Sequence, residues 1–175
     1  MSIRQFGSLL RVTVRCTVLV TALSMMAFLT ACGSSTPDPT PVSVEIQAAD
    51  NINPDALGQA APIVVRVYLL QKKDTFTSSE FNALYLRDKQ VLAADLVSSQ
   101  EFQVQPGKTA TFTTADAQTA TQLGILAAFR DIANAQWRAV TDLKPHDDSN
   151  VFIAHIKLGS VSIEPKPSGG WFGWF

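Results

Sequence analysis

Two histidines and their acidic neighbours are the side chains best suited to catalysis or metal binding. His146 is followed directly by Asp147 and Asp148, whereas His155 lies within a predicted strand. A zinc ion needs three or four converging ligands, and the chain contains only two histidines. A Ser-His-Asp triad is defined by geometry rather than by sequence, but the chain has no Gly-x-Ser-x-Gly motif. We therefore predict that the protein is not an enzyme and that it binds neither a metal nor a cofactor.

Cys32 is suited to a different reaction, the covalent attachment of lipid. Three arginines precede an uncharged and mostly apolar stretch at residues 16–29, which is the layout of a secretory signal peptide. Leu29-Thr30-Ala31-Cys32 then matches the bacterial lipobox, in which the thiol is diacylated and the peptide is cleaved just before it. We predict that residues 1–31 are removed and that Cys32 carries a diacylglycerol and an N-acyl chain. The alternatives are cleavage after Ala31 without acylation, and retention of residues 1–31 as an anchor.

The residues after Cys32 predict where the anchored protein lies. Gly33 occupies the position at which Asp favours inner-membrane retention in many Gram-negative lipoproteins, so we expect the periplasmic face of the outer membrane. Residues 32–41 are rich in Ser, Thr and Pro, a composition typical of an extended tether. One acyl chain binds a bilayer only marginally, whereas several chains hold a protein durably.

Composition limits what the mature chain binds. Removal of residues 1–31 takes three arginines, which leaves 11 basic and 15 acidic residues among the remaining 144. No basic patch stands out, so we do not expect a nucleic-acid partner. Cys16 is lost with the signal peptide and Cys32 is acylated, so the domain has no disulfide. We expect one domain at residues 42–165, followed by a flexible aromatic tail at residues 166–175.

Alternating apolar residues predict a protein built mainly of β-strands. The predicted strands are 42–48, 63–71, 100–105, 108–114, 122–130, 136–142 and 151–158, with polar loops at 50–62 and 145–150. Residues predicted to share one face are Ile63, Val65, Val67 and Leu69 in the second strand and Phe152, Ala154, Ile156 and Leu158 in the last. The strand at 122–130 is almost continuously apolar, which indicates a central position. The apolar positions change parity after Gly159, which predicts a bulge or a bend there.

One segment has a helical period. Thr77-Ser78-Ser79-Glu80 matches a capping box, and Phe81, Leu84 and Tyr85 are spaced to share one helical face. We predict a short helix over about residues 78–87. Seven or eight strands with one small helical addition indicate a mainly β fold, an antiparallel β-sandwich.

Three further motifs have more than one interpretation. One interpretation of Arg130-Asp131 is a surface ion pair at a strand end, and one interpretation of Trp137-Arg138 is a tryptophan of the core. For both motifs the alternative is a direct role in binding. For Trp171-Phe172-Gly173-Trp174-Phe175 we consider three roles. In the first, the segment is mobile and of modest consequence. In the second it lies at the headgroup level of a membrane, and in the third it binds a groove of a partner.

Several short motifs follow one another in a characteristic order. They are Arg66-Val67-Tyr68-Leu69-Leu70, Phe76, Phe81, Leu84, Pro106-Gly107, Gly124, Ala127-Ala128-Phe129-Arg130-Asp131 and Trp137-Arg138. This order resembles the outer-membrane lipoprotein of type VI secretion systems, the TssJ (SciN/VasD-like) family. The resemblance covers roughly residues 42–165, with the lipobox in the expected place.

The resemblance implies a transthyretin-like β-sandwich with a small helical addition and a structural role. Members of the family pin the trans-envelope membrane complex to the outer membrane by binding the periplasmic domain of TssM, alongside TssL. They use the loop between the first two strands, which maps here onto residues 50–61. The candidate contact residues, assigned by position alone, are Asp50, Asn51, Ile52, Asn53, Pro54, Asp55 and Leu57.

Two functions of other classes are alternatives to this hypothesis. One is a periplasmic lipoprotein that binds a small molecule or a glycan on the same kind of sandwich. The other is a hydrolase, whose turnover would depend on His146 or His155. The structural hypothesis, in contrast, predicts no small-molecule substrate.

Overall fold

The computed structural model describes residues 39–147 and 150–167. The predicted signal peptide, Cys32, most of the tether, Asp148 and all but the first two residues of the predicted aromatic tail lie outside these residues. Within the described ranges, no helix is both long enough and apolar enough to cross a membrane.

Eight strands form two four-stranded sheets, A and B. Sheet A contains β1 (Val42–Ala48), β4 (Thr109–Thr114), β7 (Val151–Ile156) and β8 (Val161–Pro165) in the order β4-β1-β7-β8. Sheet B contains β2 (Ile63–Leu70), β3 (Leu96–Val104), β5 (Gln122–Ala127) and β6 (Arg138–Asp142) in the order β3-β2-β5-β6. The mainly β sandwich predicted from the sequence is confirmed.

Alternation along the strands builds one core between the sheets. In β1, Val42, Val44 and Ile46 are at most 2% exposed, and the residues between them are partly exposed. The predicted inward face of β2 is buried in the same core. β5 lies between β2 and β6, which confirms its predicted central position. Each large side chain buried in this way contributes about 1.5–3 kcal/mol, which is how a domain without a disulfide is stabilised.

Two helices cover the outer face of sheet B. Helix α1 spans Asp74–Ser78 and helix α2 spans Phe81–Leu92. A second core lies beneath them and consists of Tyr68, Leu70, Phe76, Leu84, Leu92 and Leu126. A Cβ atom at Gly124 would lie 3.2 Å from side-chain atoms of Leu70 and Phe76. The absence of a side chain at Gly124 therefore lets α1 pack closely on sheet B.

A helical segment at this place is confirmed, but its predicted start and capping box are wrong. Thr77 lies within α1, where its hydroxyl bonds to a carbonyl of the same helix at 3.1 Å. Glu80 is the N-cap of α2 and makes no side-chain capping bond. Arg138 instead binds the end of α1 and the break that follows it, by donating to the carbonyl of Phe76 at 3.0 Å and to that of Ser79 at 2.6 Å. A partner this distant in sequence is invisible to local spacing.

Two features of sheet A differ from the predictions. β1 and β7 pair in parallel, so the sandwich is not wholly antiparallel. The parity change at Gly159 marks a hairpin turn between β7 and β8 rather than a bend, since the N–H of Lys157 donates to the carbonyl of Ser160 at 2.9 Å. Leu158 therefore lies in a turn and is 54% exposed, whereas alternation predicted that it shares the buried face of β7.

The strand directions divide the domain into two ends. At the first, which we call the tether end, β1 and β7 begin while β4 and β8 stop. At the opposite loop end lie the connections β1–β2, β3–β4, β5–β6 and β7–β8. The two ends are separated by the length of β1, which is about 20 Å for its seven residues.

Candidate partner-binding surface

The loop between β1 and β2 is fastened to the domain near its start. Ile52 is fully buried in the core between the sheets. Asn53 is 5% exposed; its Nδ2 donates to the carbonyl of Pro62 at 2.9 Å and its Oδ1 accepts the N–H of Arg130 at 2.8 Å. Its φ is 46°, a left-handed conformation that asparagine adopts more readily than most residues. We call Ile52 and Asn53 the loop root.

The middle of the same loop is a turn that projects from the domain. The carboxylate of Asp55 accepts the backbone N–H groups of Leu57 and Gln59 at 2.8 and 2.9 Å, which fixes the local backbone as Asx turns do. Gly58 has a φ of 77°, where a side chain would be strained. Leu57 is 82% exposed. We call this turn, residues 55–59, the loop tip. It exposes Leu57 on a backbone that the hydrogen bonds of Asp55 fix.

A groove of about 310 Å³ runs beside the loop root. Its lining includes Pro54, Phe129, Arg130, Asp131 and Leu158, which come from three different connections at the loop end. Pro54 and Leu158 make one part of the groove apolar. Arg130 and Asp131 are exposed and place charges of both signs beside it.

The structure divides the predicted contact residues into two groups. The exposed or partly exposed members are Asp50, Asn51, Pro54, Asp55 and Leu57. The loop root is buried, so its side chains position the loop and do not reach the surface. The sequence did not identify Phe129 or Leu158 as site residues, because only the fold brings them beside Pro54. Gly159 was the available signal for the exposure of Leu158, because a glycine is as compatible with a turn as with a bend.

Arg66 joins helix α2 to sheet B and belongs to the scaffold. Its guanidinium lies 3.1 Å from Asp88 and 2.6 Å from Glu101, and it donates to the hydroxyl of Tyr68 at 3.2 Å. Burial alone would lower the pKa of Arg66, but hydrogen bonds to Glu101 and Tyr68 and the charge of Asp88 raise it above its ordinary value. Burial raises the pKa of Tyr68 to about 12. Each charge in this cluster is paired, so the cluster holds helix α2 in place on sheet B.

Trp137 and Arg138 also serve the scaffold, in agreement with the structural interpretation of this pair. Trp137 packs against both cores and meets the ring of Phe81 edge-on at 5.3 Å. Arg138 lies over the Trp137 ring at 4.4 Å and donates to the carbonyls of Phe76 and Ser79. Burial lowers the pKa of Arg138, and the charge of Glu80 opposes this shift.

The surface ion pair predicted between Arg130 and Asp131 is not found among the described residues. The carboxylate of Asp131 instead accepts the side-chain amide of Asn134 at 2.9 Å. The backbone N–H of Arg130 donates to Asn53 of the loop root. Both charged side chains are therefore exposed at the groove.

The two histidines lie apart. His155 Nε2 is 3.8 Å from Glu164 Oε2 on the polar side of β7. His146 belongs to the β6–β7 connection, and its backbone N–H donates to the hydroxyl of Thr40 at 3.0 Å. Among residues 39–147 and 150–167, no three His, Cys, Asp or Glu side chains converge in a way that would hold a metal ion.

Thr40 fixes the chain where it enters the domain from the tether. It is 2% exposed, its N–H donates to Asp116 Oδ1 at 3.2 Å, and its carbonyl accepts the N–H of Ala117 at 2.7 Å. Hydrogen bonds from the N–H groups of Gln118 and then Thr40 lower the pKa of Asp116. The tether therefore stops at a defined residue.

Asn150 plays a similar part in the neighbouring connection. It is 1% exposed, and its Nδ2 donates to the carbonyls of Lys144 and Asp147 at 2.7 and 2.8 Å. Its Oδ1 accepts the N–H of Lys144 at 2.8 Å, and its carbonyl accepts the N–H of Ser43 at 2.9 Å. One amide side chain thus satisfies three backbone groups at the tether end.

Comparison with known proteins identifies relatives of this chain. A family model described as type VI secretion lipoprotein, VasD, EvfM, TssJ matches residues 40–158. The crystal structure of the T6SS lipoprotein TssJ1 from Pseudomonas aeruginosa is 35% identical with a TM-score of 0.67, and the match covers 74% of this chain and 98% of that chain. Serratia marcescens Lip, a membrane-bound component of the type VI secretion system, is 27% identical with a TM-score of 0.65, and the match covers 74% and 99%. No curated protein sequence matches the chain.

A further solved structure, described as a type VI membrane complex, contains a chain of the same fold. It is 24% identical with a TM-score of 0.64, over 73% of this chain and all of that one. The family match covers more than half of the chain, and the relative from Pseudomonas aeruginosa is 35% identical over 74% of it. The chain therefore belongs to the type VI secretion lipoprotein (TssJ) family, whose members are structural lipoproteins rather than enzymes.

Proposed function

We propose that the protein anchors the type VI secretion membrane complex to the outer membrane by binding the periplasmic domain of TssM, alongside TssL. Lipid on Cys32 provides the attachment to the periplasmic face of the membrane. The loop end provides the attachment to TssM. The relatives support the first part, since they are described as a lipoprotein and as a membrane-bound component.

The observation that carries the proposal is the opposition of the two ends. The tether joins the domain at Thr40, directly before β1, and the candidate loop begins where the same strand stops. Because β1 is a single continuous strand, the loop root lies about 20 Å from the tether. A domain held by its tether end thus turns its loop end toward the periplasm.

The contact surface that we propose combines the loop tip with the groove. Binding energy in protein interfaces concentrates in a few apolar or aromatic anchors that are shielded from water by neighbours. Leu57 is the exposed apolar residue of the tip, and Pro54 with Leu158 forms the apolar part of the groove. Arg130 and Asp131 are suited to orient a partner with complementary charges. The loop root acts by positioning.

Leu57→Asp is the direct test of this surface. We expect it to weaken the affinity for the TssM periplasmic domain about tenfold or more, because a carboxylate replaces the apolar anchor. The matched control is Leu86→Asp, since Leu86 is 72% exposed but lies in helix α2. Affinity is measured with the lipidated protein in detergent, and urea unfolding checks that both variants are folded. Unchanged binding by Leu57→Asp, or an equal loss in both variants, would place the contact elsewhere.

Cys32→Ser tests the membrane attachment separately. The variant is expected to lose labelling by radioactive palmitate and to leave the outer-membrane fraction, because no thiol remains to be acylated. Cys16→Ser is the matched control, since Cys16 belongs to the predicted signal peptide. If Cys32→Ser fractionates with the outer membrane as the wild type does, the lipid anchor is refuted, whatever the result at Leu57.

A further inference from the structure

Four strands lie at the edges of the two sheets, and β4 is the edge strand that lacks a protecting residue. It is the first strand of sheet A, and among the residues that the structure describes it pairs only with β1. Its sequence, Thr-Ala-Thr-Phe-Thr-Thr, contains neither a charge nor a proline. Charged residues and prolines on an edge strand prevent it from pairing with another chain. The other three edge strands contain such residues, namely Glu101 in β3, Arg138 and Asp142 in β6, and Glu164 and Pro165 in β8.

Every second residue of β4 turns its backbone polar groups away from the domain. The N–H of Ala48 donates to the carbonyl of Lys108 at 3.0 Å, so these two residues form a hydrogen-bonded pair. Such pairs alternate along an antiparallel ladder, and the register then assigns the even-numbered residues of β4 to bonds with β1. The N–H and carbonyl groups of the odd-numbered residues therefore point to the free edge. These residues are three exposed threonines, Thr109, Thr111 and Thr113.

The free edge of β4 is complementary to itself in one antiparallel register. With Thr111 opposite the same residue of a second copy, the free backbone groups of all three threonines find partners. On the outer face each threonine is then opposite a threonine, a pairing that stabilises antiparallel sheets. On the inner face Ala110 of each copy lies opposite Phe112 of the other, so a small side chain meets a large one. Lys108, directly before the strand, lies opposite Thr114, so no like charges oppose each other.

We propose that β4 pairs with β4 of a second copy in this register and joins two copies of sheet A into one eight-stranded sheet around a twofold axis. The pairing does not depend on TssM, because the loop tip and its groove lie at the end of the strands, whereas the edge of β4 lies along the side. Six residues from each copy bury less surface than a stable interface of ordinary size, so the pairing is weak in solution. The lipid proposed on Cys32 strengthens it, because confinement to one leaflet raises the effective concentration of the two copies.

Antiparallel pairing determines how the two copies are oriented. Their tether ends point in opposite directions along β4, whereas two copies that stand upright on one membrane have their β4 strands in the same direction. The tether from Cys32 to Thr40 spans at most about 28 Å over eight residues, so both lipids reach one leaflet when the strands lie along the bilayer. The proposed function holds a TssM-bound copy upright. The pair is therefore a form of the lipoprotein outside the assembled complex.

Disulfide cross-linking through introduced cysteines tests the register. The lipidated full-length variants in phosphatidylethanolamine–phosphatidylglycerol vesicles are oxidised with copper phenanthroline, and the wild type measures the background from Cys32. In Thr111→Cys the two Cα atoms lie about 5.5 Å apart, within the range that a disulfide spans. In Thr109→Cys or Thr113→Cys alone, the two cysteines lie about 14 Å apart, so these variants are matched controls on the same exposed face. We expect Thr111→Cys to form dimer at least about tenfold faster than either control.

A mixture of the two controls provides a second readout. Thr109 of one copy lies opposite Thr113 of the other, so vesicles that contain both Thr109→Cys and Thr113→Cys should form the heterodimer at a rate similar to that of Thr111→Cys. Thr111→Lys added to both is expected to slow this reaction about tenfold, because two ammonium groups would then oppose each other. Leu57→Asp added to Thr111→Cys should leave the rate unchanged, since Leu57 belongs to the loop tip.

Each other outcome overturns the proposal. Equal rates for the three single variants would show collision without pairing, and faster reaction of Thr109→Cys or Thr113→Cys would show a different register. If Thr111→Cys forms no dimer while the TssM periplasmic domain protects it from a maleimide dye, TssM rather than a second copy covers the edge. The ratio between variants decides, so the result holds whether or not the protein is bound to the vesicles. Flotation of the same vesicles tests the lipid on Cys32 separately.

Discussion

The tether end and the loop end of the domain are held by different kinds of interaction. At the tether end, Thr40 and Asn150 are buried polar residues whose hydrogen bonds fix the incoming chain and the neighbouring connection. At the loop end, buried Ile52 and Asn53 hold a long loop, whereas Leu57 and Leu158 are exposed. The first end is organised to fix a chain and the second to display side chains.

This difference suits a protein with two attachments. A polar network is directional, so it defines where the tether stops. An exposed apolar residue gains free energy only when a partner covers it. The two ends should therefore respond differently to substitution, and three predictions test this difference.

Ile52→Ala is expected to have the largest effect, because it removes the apolar half of the loop root. Ile52 is fully buried, and truncation of such a side chain costs about 2–5 kcal/mol of the free energy of unfolding. The control is Leu57→Ala in the same loop, which we expect to change stability by less than about 0.5 kcal/mol. Urea unfolding measures both. Equal losses would mean that the root and the tip are not separate parts.

Asn150→Ala tests the polar network at the tether end. The substitution removes the partners of three backbone groups, so we expect a loss of about 2–3 kcal/mol in the free energy of unfolding. Asn134→Ala is the control, because Asn134 is exposed and its side-chain amide donates to the carboxylate of Asp131 rather than to a backbone group. Affinity for the TssM domain should be unchanged at a temperature where the variant is folded. A loss as small as that of the control would show that the network contributes little.

The smallest expected effect concerns the bridge between β1 and the start of the tail. The side-chain hydrogen bond from Lys166, then that from Gln47, lowers the pKa of Glu45. A lowered folded-state pKa means that this contribution is fully present above the ordinary glutamate pKa and is lost as the pH falls through the lowered value. Lys166→Met should therefore reduce stability slightly at about pH 7, with a difference that shrinks in acid. Unfolding curves of wild type and variant are compared at about pH 7 and in acid, below the lowered pKa of Glu45. A stability difference that is larger in acid would contradict the prediction.

Much of the fold was predictable because local alternation agrees with burial. β1 and β2 carry apolar residues where the core lies, so their extents follow from the pattern to within one residue, whereas β5 stops at Ala127, three residues before its predicted end. The break between α1 and α2 was not predictable, because a residue far along the chain, Arg138, satisfies it. The parallel pairing of β1 with β7 likewise depends on contacts between distant segments.

The candidate site was predictable only in outline. The family resemblance located the loop at residues 50–61, but it assigned contact residues by position. The structure separates Ile52 and Asn53, which are buried, from Leu57, which is exposed. Local sequence does not distinguish these roles, because both Ile52 and Leu57 are apolar residues within a polar loop. The groove formed with Leu158 required the whole sandwich.

The position of β1 within sheet A has a mechanical consequence. Tension between a lipid at the amino terminus and a partner at the opposite end would enter at Thr40 and run along this strand. β1 is flanked on both sides, by β4 and β7, and its ladder hydrogen bonds lie across the direction of pulling. The strand cannot be peeled away one bond at a time, because such a load shears both ladders together. The resistance of β1 to such a load would therefore depend on its pairing with β4 and with β7 together.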